Sequence, residues 1–290
     1  MSAGHDVSVV IVTYNSSEVL GDCLRSVRAT EGAQVDVTIV DNGSADETVA
    51  LVEREFDWAR VIHLPQNRGL SAGINAGVRA TELEYIFLLN PDTLFTRPVV
   101  GELADFMGSD SGVGAAGPKI LNADGSLQYS CRRYPTMWSS LFNRSSLLTR
   151  ALPSNRISSD YLMTDFDHAS PRDVDWLSGA ALMLRRSALE RVGGMDERYF
   201  MYFEDVDLCH RLHDAGYRVV YYPHVELVHH ISQSSGRLAN RTIVERHRAM
   251  WRYWRTYRGG NPLRDAAAGA AIAGRGAAQL ASNSLRALVR

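Results

Sequence analysis

The sequence predicts an α/β fold built on a mostly parallel, doubly wound sheet with helices on both faces. Short apolar and β-branched runs alternate with amphipathic segments of roughly ten residues, which is the pattern of consecutive βαβ units. Polar residues follow several of the strand-like runs, and open α/β sheets place their ligands at such strand ends. The chain has 290 residues, 45% of them hydrophobic, which suits one large domain or two small ones.

The first half of the chain, residues 1–118, supplies the regular alternation. Val7–Thr13 is β-branched and nearly all apolar, as expected of a central strand buried on both faces. A helix with one apolar face follows it. Ser44, with Glu47 three residues later, predicts a capping box that begins the second helix. Further strands are expected at 35–40, 60–64, 85–90 and 113–116, and further helices at 44–56, 71–80 and 98–107.

The second half, residues 119–236, is less regular. The periodicity fades between about residues 117 and 173, where we expect a long excursion that shapes a cleft. Two strands separated by Pro223 are predicted near its end. The expected elements are strands at 180–184, 218–222 and 225–229 and helices at 187–192 and from about 200 to 216. A C-terminal helical region, residues 237–290, completes the chain with a basic, aromatic helix at 238–257 and an Ala-rich tail.

Cysteine usage and the first residues indicate a cytoplasmic protein. The three cysteines form no CxxC pair, so no disulfide framework is implied, and this fits a reducing compartment. Met1–Asp6 is short and polar and runs straight into a strand, so we expect no signal peptide. No apolar run approaches the length of a membrane-spanning helix.

Charge is distributed unevenly along the chain. The net charge is -2, but residues 237–290 hold eleven arginines against Glu245 and Asp265, a net +9, which leaves -11 on the first 236 residues. Between residues 237 and 258 the arginines alternate with Trp and Tyr. Such a segment suits nucleic acid, an anionic lipid surface, or a helix packed on its own domain with solvated arginines. An anionic partner is therefore expected for the tail.

Three strand ends carry polar side chains that a parallel sheet brings to one edge. They are Thr13-Tyr14-Asn15, Asp41-Asn42 and Asn90-Pro91-Asp92. A lone carboxylate in a turn is usually only a turn former, but Asp41 and Asp92 together should face one crevice. One carboxylate can accept the imide N–H of uracil or thymine. The other can hold a divalent ion that bridges a diphosphate, because hard cations prefer oxygen ligands.

The glycines favour a nucleotide ligand without matching a nucleotide-binding fingerprint. Those of Asn67-Arg68-Gly69 and Ala72-Gly73 would let the backbone approach a bound nucleotide. The chain has no Walker motif and no G-x-G-x-x-G motif, which argues against an NTPase and a classical NAD enzyme. A nucleotidyltransferase would need a Gly-rich triphosphate loop after the first strand, and Tyr14-Asn15-Ser16-Ser17 is not one. A non-catalytic glycan- or nucleic-acid-binding protein is the remaining alternative.

Six motifs in order resemble the inverting family 2 glycosyltransferases, over about residues 7–235. On the nucleotide side they are Val10–Asn15, Val40–Ser44, Asn67–Asn75 and Leu89–Asp92, and on the acceptor side they are Phe203–Leu212 and His229. Within the family the chain looks most like the rhamnosyltransferases that build bacterial cell-surface glycans. The resemblance implies a GT-A fold and a dTDP- or UDP-linked sugar donor. It favours dTDP-L-rhamnose, with UDP-galactofuranose and UDP-glucose as alternatives.

The resemblance also implies roles for individual residues. Asp205, the second residue of the Glu204–Asp205 pair, would be the catalytic base, and Asp92 a ligand of Mg²⁺ or Mn²⁺. Trp176, Gly179 and Glu204 are expected on the acceptor side. The residues expected to bind the nucleotide sugar are Thr13, Tyr14, Asn15, Asp41, Asn67, Gly69, Asn75 and Asn90.

The partners follow from the same resemblance. The acceptor would be a glycan or a sugar linked to a polyprenyl diphosphate. A lipid-linked acceptor favours the inner face of the cell membrane over nucleic acid as the partner of the basic helix. Whether identical chains associate is left open.

One departure from the family pattern concerns the metal. The general GT-A pattern carries two acids, Asp-x-Asp, whereas Asn90 stands in the first position here. A single carboxylate binds an ion more weakly unless another ligand helps, and His229 is the candidate. Imidazole with carboxylate and phosphate oxygens suits Mn²⁺ at least as well as Mg²⁺. The alternative is that His229 is only a hydrogen-bonded histidine at a strand end, just as Asp205 could merely offset a helix dipole.

Overall fold

The computed structural model describes residues 5–29, 34–136, 155–230 and 240–288. Strands and helices alternate regularly as far as residue 121. In chain order the elements are β1 (Val7–Thr13), α1 (Ser17–Arg28), β2 (Val35–Asp41), α2 (Thr48–Glu55), β3 (Arg60–His63), α3 (Leu70–Arg79), β4 (Tyr85–Leu89), β5 (Thr93–Phe95), α4 (Val100–Ser109) and β6 (Val113–Leu121).

Short strands and the longer C-terminal helices dominate the rest. These elements are β7 (Leu127–Gln128), β8 (Cys131–Arg132), α5 (Arg156–Leu162), β9 (Arg172–Asp173), β10 (Trp176–Leu177), β11 (Ala181–Arg185), α6 (Arg186–Arg191), α7 (Glu204–Asp214), β12 (Arg218–His229), α8 (Asn240–Tyr257) and α9 (Pro262–Leu288). Residues 137–154 of the expected excursion lie outside the described residues, as do residues 237–239 of the basic region.

The predicted α/β class is confirmed. Within the described residues, ten strands form one sheet whose main order is β3-β2-β1-β4-β11-β6-β12-β5. The neighbours from β3 to β4 run parallel, whereas β11 is antiparallel to both β4 and β6. Thr13 pairs in register with Asp41, so the ends of β1 and β2 lie side by side as predicted.

Both faces of the sheet are covered, which explains why β1 has almost no polar alternation. Val9 and Ile11 point into a core shared with α1, α2 and α4, while Val10 points into an opposite core shared with α3, α6, α7 and α8. The residues just beyond the carboxyl ends of these strands therefore lie outside the core, where a ligand can reach them.

The capping box at Ser44 is a wrong prediction. Helix α2 begins at Thr48, not near residue 44. The Ser44 hydroxyl instead accepts a hydrogen bond from the Asn15 N–H, at 2.8 Å. The Thr48 N–H donates to the Asp46 carboxylate at 3.1 Å, so an acid two residues earlier in the chain serves this helix.

Strand β12 also differs from prediction. The two strands expected on either side of Pro223 form one continuous strand, with a register shift between Tyr222 and Glu226. A bulge accommodates proline because the ladder does not need its missing N–H there. Helix α7 begins only at Glu204, because Tyr202 and Phe203 adopt left-handed backbone conformations with φ of 69° and 65°.

The Ala-rich tail is the long helix α9, which returns along α8 as an antiparallel hairpin. The Trp254 Nε1–H donates to Asp265 at 2.9 Å near the turn, and Asn283 donates to Asn240 at 2.8 Å at the open end. In the part of the chain that the structure describes, no helix is long and apolar enough to cross a membrane. The division of the chain at residue 236 stays a prediction.

Candidate functional site

An open cleft of about 820 Å³ lies at the carboxyl ends of β1 and β4. Its walls come from separate parts of the chain. They are formed by Tyr14–Val19, Asp46, Pro91–Asp92, Asn122–Asp124 and His229–His230. The cleft therefore brings together two of the predicted strand ends and the late strand that carries His229.

Asp92 and His229 meet at this cleft. Asp92 Oδ1 lies 3.1 Å from His229 Nε2, and both side chains are largely buried. Strand pairing fixes this approach, because His229 pairs with Thr93 and the His230 N–H donates to the Asp92 carbonyl oxygen at 2.8 Å. The Asn90 side-chain amide is 3.4 Å from the same His229 nitrogen.

The pair suits a divalent cation. Ligands at 2.0–2.2 Å from an octahedral cation are separated by about 3 Å, which matches the 3.1 Å between the Asp92 and His229 atoms. Carboxylate oxygen and imidazole nitrogen are ligands that Mn²⁺ accepts. Among the described residues no group of three or more His, Cys, Asp or Glu side chains could hold a metal. Two protein ligands leave the other coordination positions to phosphate oxygens and water.

The ends of β1 and β2 are held by polar contacts within the protein. Asp41 is buried, and its carboxylate accepts hydrogen bonds from the Thr13 hydroxyl at 3.3 Å and the Ser44 N–H at 3.1 Å. Asn15 has a left-handed backbone, φ 52°, and its side chain accepts from the Ala45 N–H at 2.8 Å. Asp41 is not among the residues that line the cleft of Asp92. Its predicted role as a reader of the base stays a prediction.

The 67–75 motif also has structural partners. The Asn67 side-chain oxygen accepts a hydrogen bond from the Gly69 N–H at 3.0 Å. Gly69 has φ 92°, and a Cβ there would lie 2.5 Å from the Phe200 carbonyl oxygen, so this glycine is explained by a close approach of protein backbone. The Asn75 side chain exchanges hydrogen bonds with the Met195 backbone at 2.9 Å. The structure does not place these residues on the cleft of Asp92, and their nucleotide-binding roles stay predictions.

Asp205 lies in the first turn of α7 and remains partly exposed. Its carboxylate accepts hydrogen bonds from the Gly179 N–H at 3.1 Å and the Val206 N–H at 2.9 Å. Burial raises its pKa, while these two N–H groups and the nearby Arg132 charge oppose that rise. The predicted base is thus held in one orientation with donors that favour the ionised form.

The two neighbouring acids have different environments. Burial, followed by the charge of Asp205, raises the pKa of Glu204 to about 8. One oxygen of Glu204 has no hydrogen-bond partner among the described residues. Asp207 forms an ion pair with Arg211 at 2.8 Å and accepts from the Tyr257 hydroxyl at 2.8 Å, so both its oxygens serve packing.

The residues predicted for the acceptor side, Gly179 and Trp176, also have different environments. Gly179 contacts Asp205 through its backbone N–H. Trp176 is buried, its Nε1–H donates to the Arg133 carbonyl oxygen at 2.8 Å, and the Arg132 guanidinium lies over its ring at 5.1 Å. Arg132 was not predicted from the sequence, because nothing near it distinguishes it from other arginines of the irregular stretch.

Helix α8 packs on its own domain, which was one of the alternatives for the basic segment. We call this contact the α8 interface, defined by Arg241, Arg246, Arg252, Tyr253 and Tyr257. Its arginines are not simply solvated, because three of them cover aromatic rings. These contacts are Arg241 over Phe200 at 4.4 Å, Arg246 over Tyr202 at 4.4 Å and Arg252 over Tyr199 at 5.8 Å.

The tyrosines of the α8 interface reach helix α7 itself. The His210 ring stacks between Tyr134, at 3.6 Å, and Tyr257, at 4.1 Å. The His210 Nε2 is 3.0 Å from the Tyr253 hydroxyl. The helix that begins with the predicted base is therefore supported by residues more than forty positions later in the chain.

Comparison with known proteins identifies the family of the chain. Residues 8–193 match the model of the family described as glycosyl transferase family 2, and residues 164–234 match one described as the N-terminal domain of galactosyltransferase. An N-acetylglucosaminyl-diphospho-decaprenol L-rhamnosyltransferase of Mycobacterium tuberculosis is 34% identical over 254 residues, 84% of this chain and 82% of that protein. A low-salt glycan biosynthesis hexosyltransferase of Haloferax volcanii is 29% identical over 71% of this chain and 61% of its own.

Solved structures support the fold alone. A mannosyltransferase from Pyrobaculum calidifontis, in complex with GDP-Man and Mn²⁺, aligns with a TM-score of 0.58 at 19% identity, over 96% of this chain and 73% of its own. GalNAc-T7 with UDP, GalNAc and Mn²⁺ aligns with a TM-score of 0.61 at 16% identity, over 79% and 44%. Fold and matches together define a glycosyltransferase enzyme with a GT-A fold. The chain belongs to glycosyl transferase family 2 and resembles its rhamnosyltransferases.

Proposed function

We propose that this enzyme is an inverting, metal-dependent transferase that moves L-rhamnose from dTDP-L-rhamnose to a sugar on a polyprenyl diphosphate. The observation that carries the proposal is the Asp92–His229 pair, which lines the cleft at the strand ends. The rhamnosyltransferase that is 34% identical over most of both chains supports L-rhamnose as the transferred sugar and a lipid-linked acceptor.

The chemistry requires one displacement. An acceptor hydroxyl oxygen attacks the anomeric carbon of the donor sugar, the bond from that carbon to the diphosphate oxygen breaks, and the diphosphate leaves with the electron pair. The hydroxyl proton passes to the Asp205 carboxylate, which the Gly179 and Val206 N–H groups orient. A divalent cation held by Asp92 and His229 would supply charge stabilisation for the departing diphosphate. No covalent intermediate is required.

A donor panel tests this proposal. Purified enzyme is incubated with Mn²⁺, an N-acetylglucosaminyl-diphosphoprenol analogue and, separately, dTDP-L-rhamnose, UDP-galactofuranose or UDP-glucose, and products are read by mass spectrometry. We expect transfer from dTDP-L-rhamnose only. Transfer from a UDP sugar alone would replace the donor and keep the reaction class. Hydrolysis and transfer both absent with every donor would favour a non-catalytic binding protein, and nucleotide-sugar synthesis from a triphosphate would favour a nucleotidyltransferase.

The metal claim has its own test. Asp92→Asn and His229→Ala should each raise the Mn²⁺ concentration that gives half-maximal activity. Gln66→Ala, an exposed change away from the cleft, serves as the control. Full activity of the unaltered enzyme in excess EDTA would exclude the metal from the mechanism.

We also propose that the enzyme acts in the cytoplasm, at the inner face of the membrane, through the outer side of the α8–α9 hairpin. Between the two helices runs an apolar groove of about 490 Å³, lined by Ile243, Val244, Trp251 and Leu280 among others. Exposed arginines such as Arg248 stand beside it, and the region carries net +9. Arginines near an anionic surface contribute about 1 kcal/mol each, and interfacial tryptophan adds anchoring.

Co-sedimentation with vesicles tests membrane binding. Binding to vesicles rich in phosphatidylserine should be strong at low salt and weak at high salt. The double change Arg248→Glu with Arg264→Glu should reduce binding, whereas Arg54→Glu, an exposed change on α2, should not. An enzyme that ignores anionic vesicles at low salt would contradict the membrane proposal without touching the reaction.

A further inference from the structure

Gln128, in the short strand β7, lies behind the predicted metal ligand His229. Its side-chain oxygen is 2.8 Å from His229 Nδ1, the ring nitrogen that faces away from Asp92. Its side-chain nitrogen donates to the Asn122 side-chain oxygen at 3.0 Å. No pattern in the sequence distinguishes Gln128, which falls in the irregular stretch after residue 117.

The hydrogen bonds around Gln128 have a fixed direction. The Asp124 carboxylate can only accept, so the Ser126 hydroxyl donates to it, at 2.5 Å. The Ser126 oxygen then accepts from the Asn122 amide nitrogen at 2.9 Å. This leaves the Asn122 oxygen to accept from Gln128, and the Gln128 oxygen to accept from the next group in the chain.

That next group is His229 Nδ1, which must carry a proton to donate to the Gln128 oxygen. On the other side of the ring, Nε2 faces two groups of opposite kind, the Asn90 amide nitrogen, a donor, at 3.4 Å and the Asp92 carboxylate, an acceptor, at 3.1 Å. A histidine ligates a metal through a nitrogen without a proton, and the other nitrogen is commonly held by such a partner.

We propose that Gln128 is a positioning residue that keeps Nδ1 of His229 protonated and thereby directs the Nε2 lone pair at the space beside Asp92. The effect on metal binding rests on the proposed function, whereas the position of the proton on the His229 ring does not. Without Gln128 the proton of the neutral ring would move from Nδ1 to Nε2, because Asp92 Oδ1, 3.1 Å from Nε2, accepts a hydrogen bond from an Nε2–H. A cation would then have to displace that proton and reorient the ring.

Two variants of similar size test the assignment. Gln128→Met keeps the bulk and removes the acceptor, while Gln128→Glu keeps an acceptor for Nδ1–H. Nitrogen NMR of histidine-labelled, metal-free protein, with the signal assigned by His229→Ala, reads the ring directly. We expect a protonated Nδ1 in the unaltered protein and in Gln128→Glu, and the Nε2–H form in Gln128→Met.

Mn²⁺ affinity with dTDP present, measured by paramagnetic resonance of the free ion, gives the second readout. Gln128→Met should bind Mn²⁺ about 10–100-fold more weakly, as loss of a partner behind a ligating histidine typically does, and Gln128→Glu should stay near the unaltered affinity. An unprotonated Nδ1 in the unaltered protein, or a Met variant with unchanged ring state and affinity, overturns the proposal. If no protein binds Mn²⁺ but the ring changes as expected, the metal role fails and the positioning of His229 by Gln128 stands.

Discussion

The first half of the chain, as far as β6, and the second half with its C-terminal helices hold their candidate residues by different means. In the first half the residues follow strand ends, and short polar contacts such as Asn15 to Ser44 link one loop to the next. In the second half Asp205 begins a helix that follows two left-handed residues. That helix is held by stacked rings and by arginines of the α8 interface.

The two halves differ in whether the candidate residues are positioned by neighbouring segments of the chain or by distant ones. A strand end is placed by the sheet, so changes in the first half should alter binding while leaving the fold intact. Helix α7, which carries Asp205, depends on Tyr253 and Tyr257, which lie on α8. Changes in α8 should therefore reach Asp205, the proposed base, through packing. Four predictions, most with a control variant, can break or sharpen this comparison.

The largest effect is expected at Asp205. Asp205→Asn should keep donor binding and lower the rate of transfer about 10²–10⁴-fold, the usual loss when a general base is removed. Rate and donor affinity are measured separately, by product formation and by calorimetry.

Asp207→Asn is the matched control in the same helix turn. Its carboxylate is buried against Arg211 and Tyr257, so the loss should appear as about 3–5 kcal/mol of stability. The rate per folded molecule should change little. A near-normal rate in Asp205→Asn would assign the base to Glu204, because the oxygens of Asp207 are already engaged.

Tyr253→Ala tests the support from α8. The ring is buried against Phe203, His210 and Tyr257, and removing such an aromatic side chain costs about 3–5 kcal/mol. Tyr14→Ala removes a half-exposed ring on the nucleotide side and should change stability by no more than about 0.5 kcal/mol. Urea unfolding compares the two. Equal stabilities would show that the acceptor half does not depend on α8, and would make deletion of residues 237–290 a clean test of membrane binding.

The two halves also differ in how far the sequence predicted them. The strands around Asp41 and Asp92 have strong local signals, an apolar run followed by a polar turn, and the register of a parallel sheet then fixes their neighbours. The pairing of Asp92 with His229 was predicted from the missing acid at Asn90. Gln128 and Arg132 could not be predicted, because their positions depend on a hairpin and a strand pairing without periodic pattern. For the arginines over Phe200 and Tyr202 the sequence leaves nucleic acid, a lipid surface and packing on the domain all open, since composition does not reveal which rings they cover.

Asp41→Ala sharpens the comparison on the nucleotide side. A buried carboxylate that accepts the imide N–H of thymine or uracil should contribute about 1.5–3 kcal/mol, so dTDP or UDP affinity should fall at least about tenfold. Asp36→Ala, a change near the opposite end of the same strand β2, serves as the control and should leave affinity unchanged. Equal affinities in calorimetry for Asp41→Ala and the unaltered enzyme would show that the base is recognised elsewhere.

The smallest effect concerns the pH dependence of stability, which has opposite signs in the two halves. Partial burial raises the pKa of Asp46, but hydrogen bonds from Thr48 and Ser17 outweigh it and lower this pKa to about 2. Asp46 therefore stabilises the fold at neutral pH and loses that contribution only as pH falls towards 2. Glu204 behaves in the opposite way, because burial and the Asp205 charge raise its pKa to about 8.

Between its unfolded value near 4.5 and about 8, Glu204 binds a proton in the folded protein that the unfolded chain has released. Its contribution is complete below pH 4.5 and is lost as pH rises through 8, with a slope of at most about 1.4 kcal/mol per pH unit. Glu204→Gln cannot ionise, so its stability from pH 5 to 8.5 should fall less with pH than that of the unaltered enzyme. The other titratable groups are common to both proteins, so the difference between the two curves reports Glu204. Parallel stability curves from urea unfolding would show that Glu204 is ionised in the folded protein and that no buried proton is held beside the base.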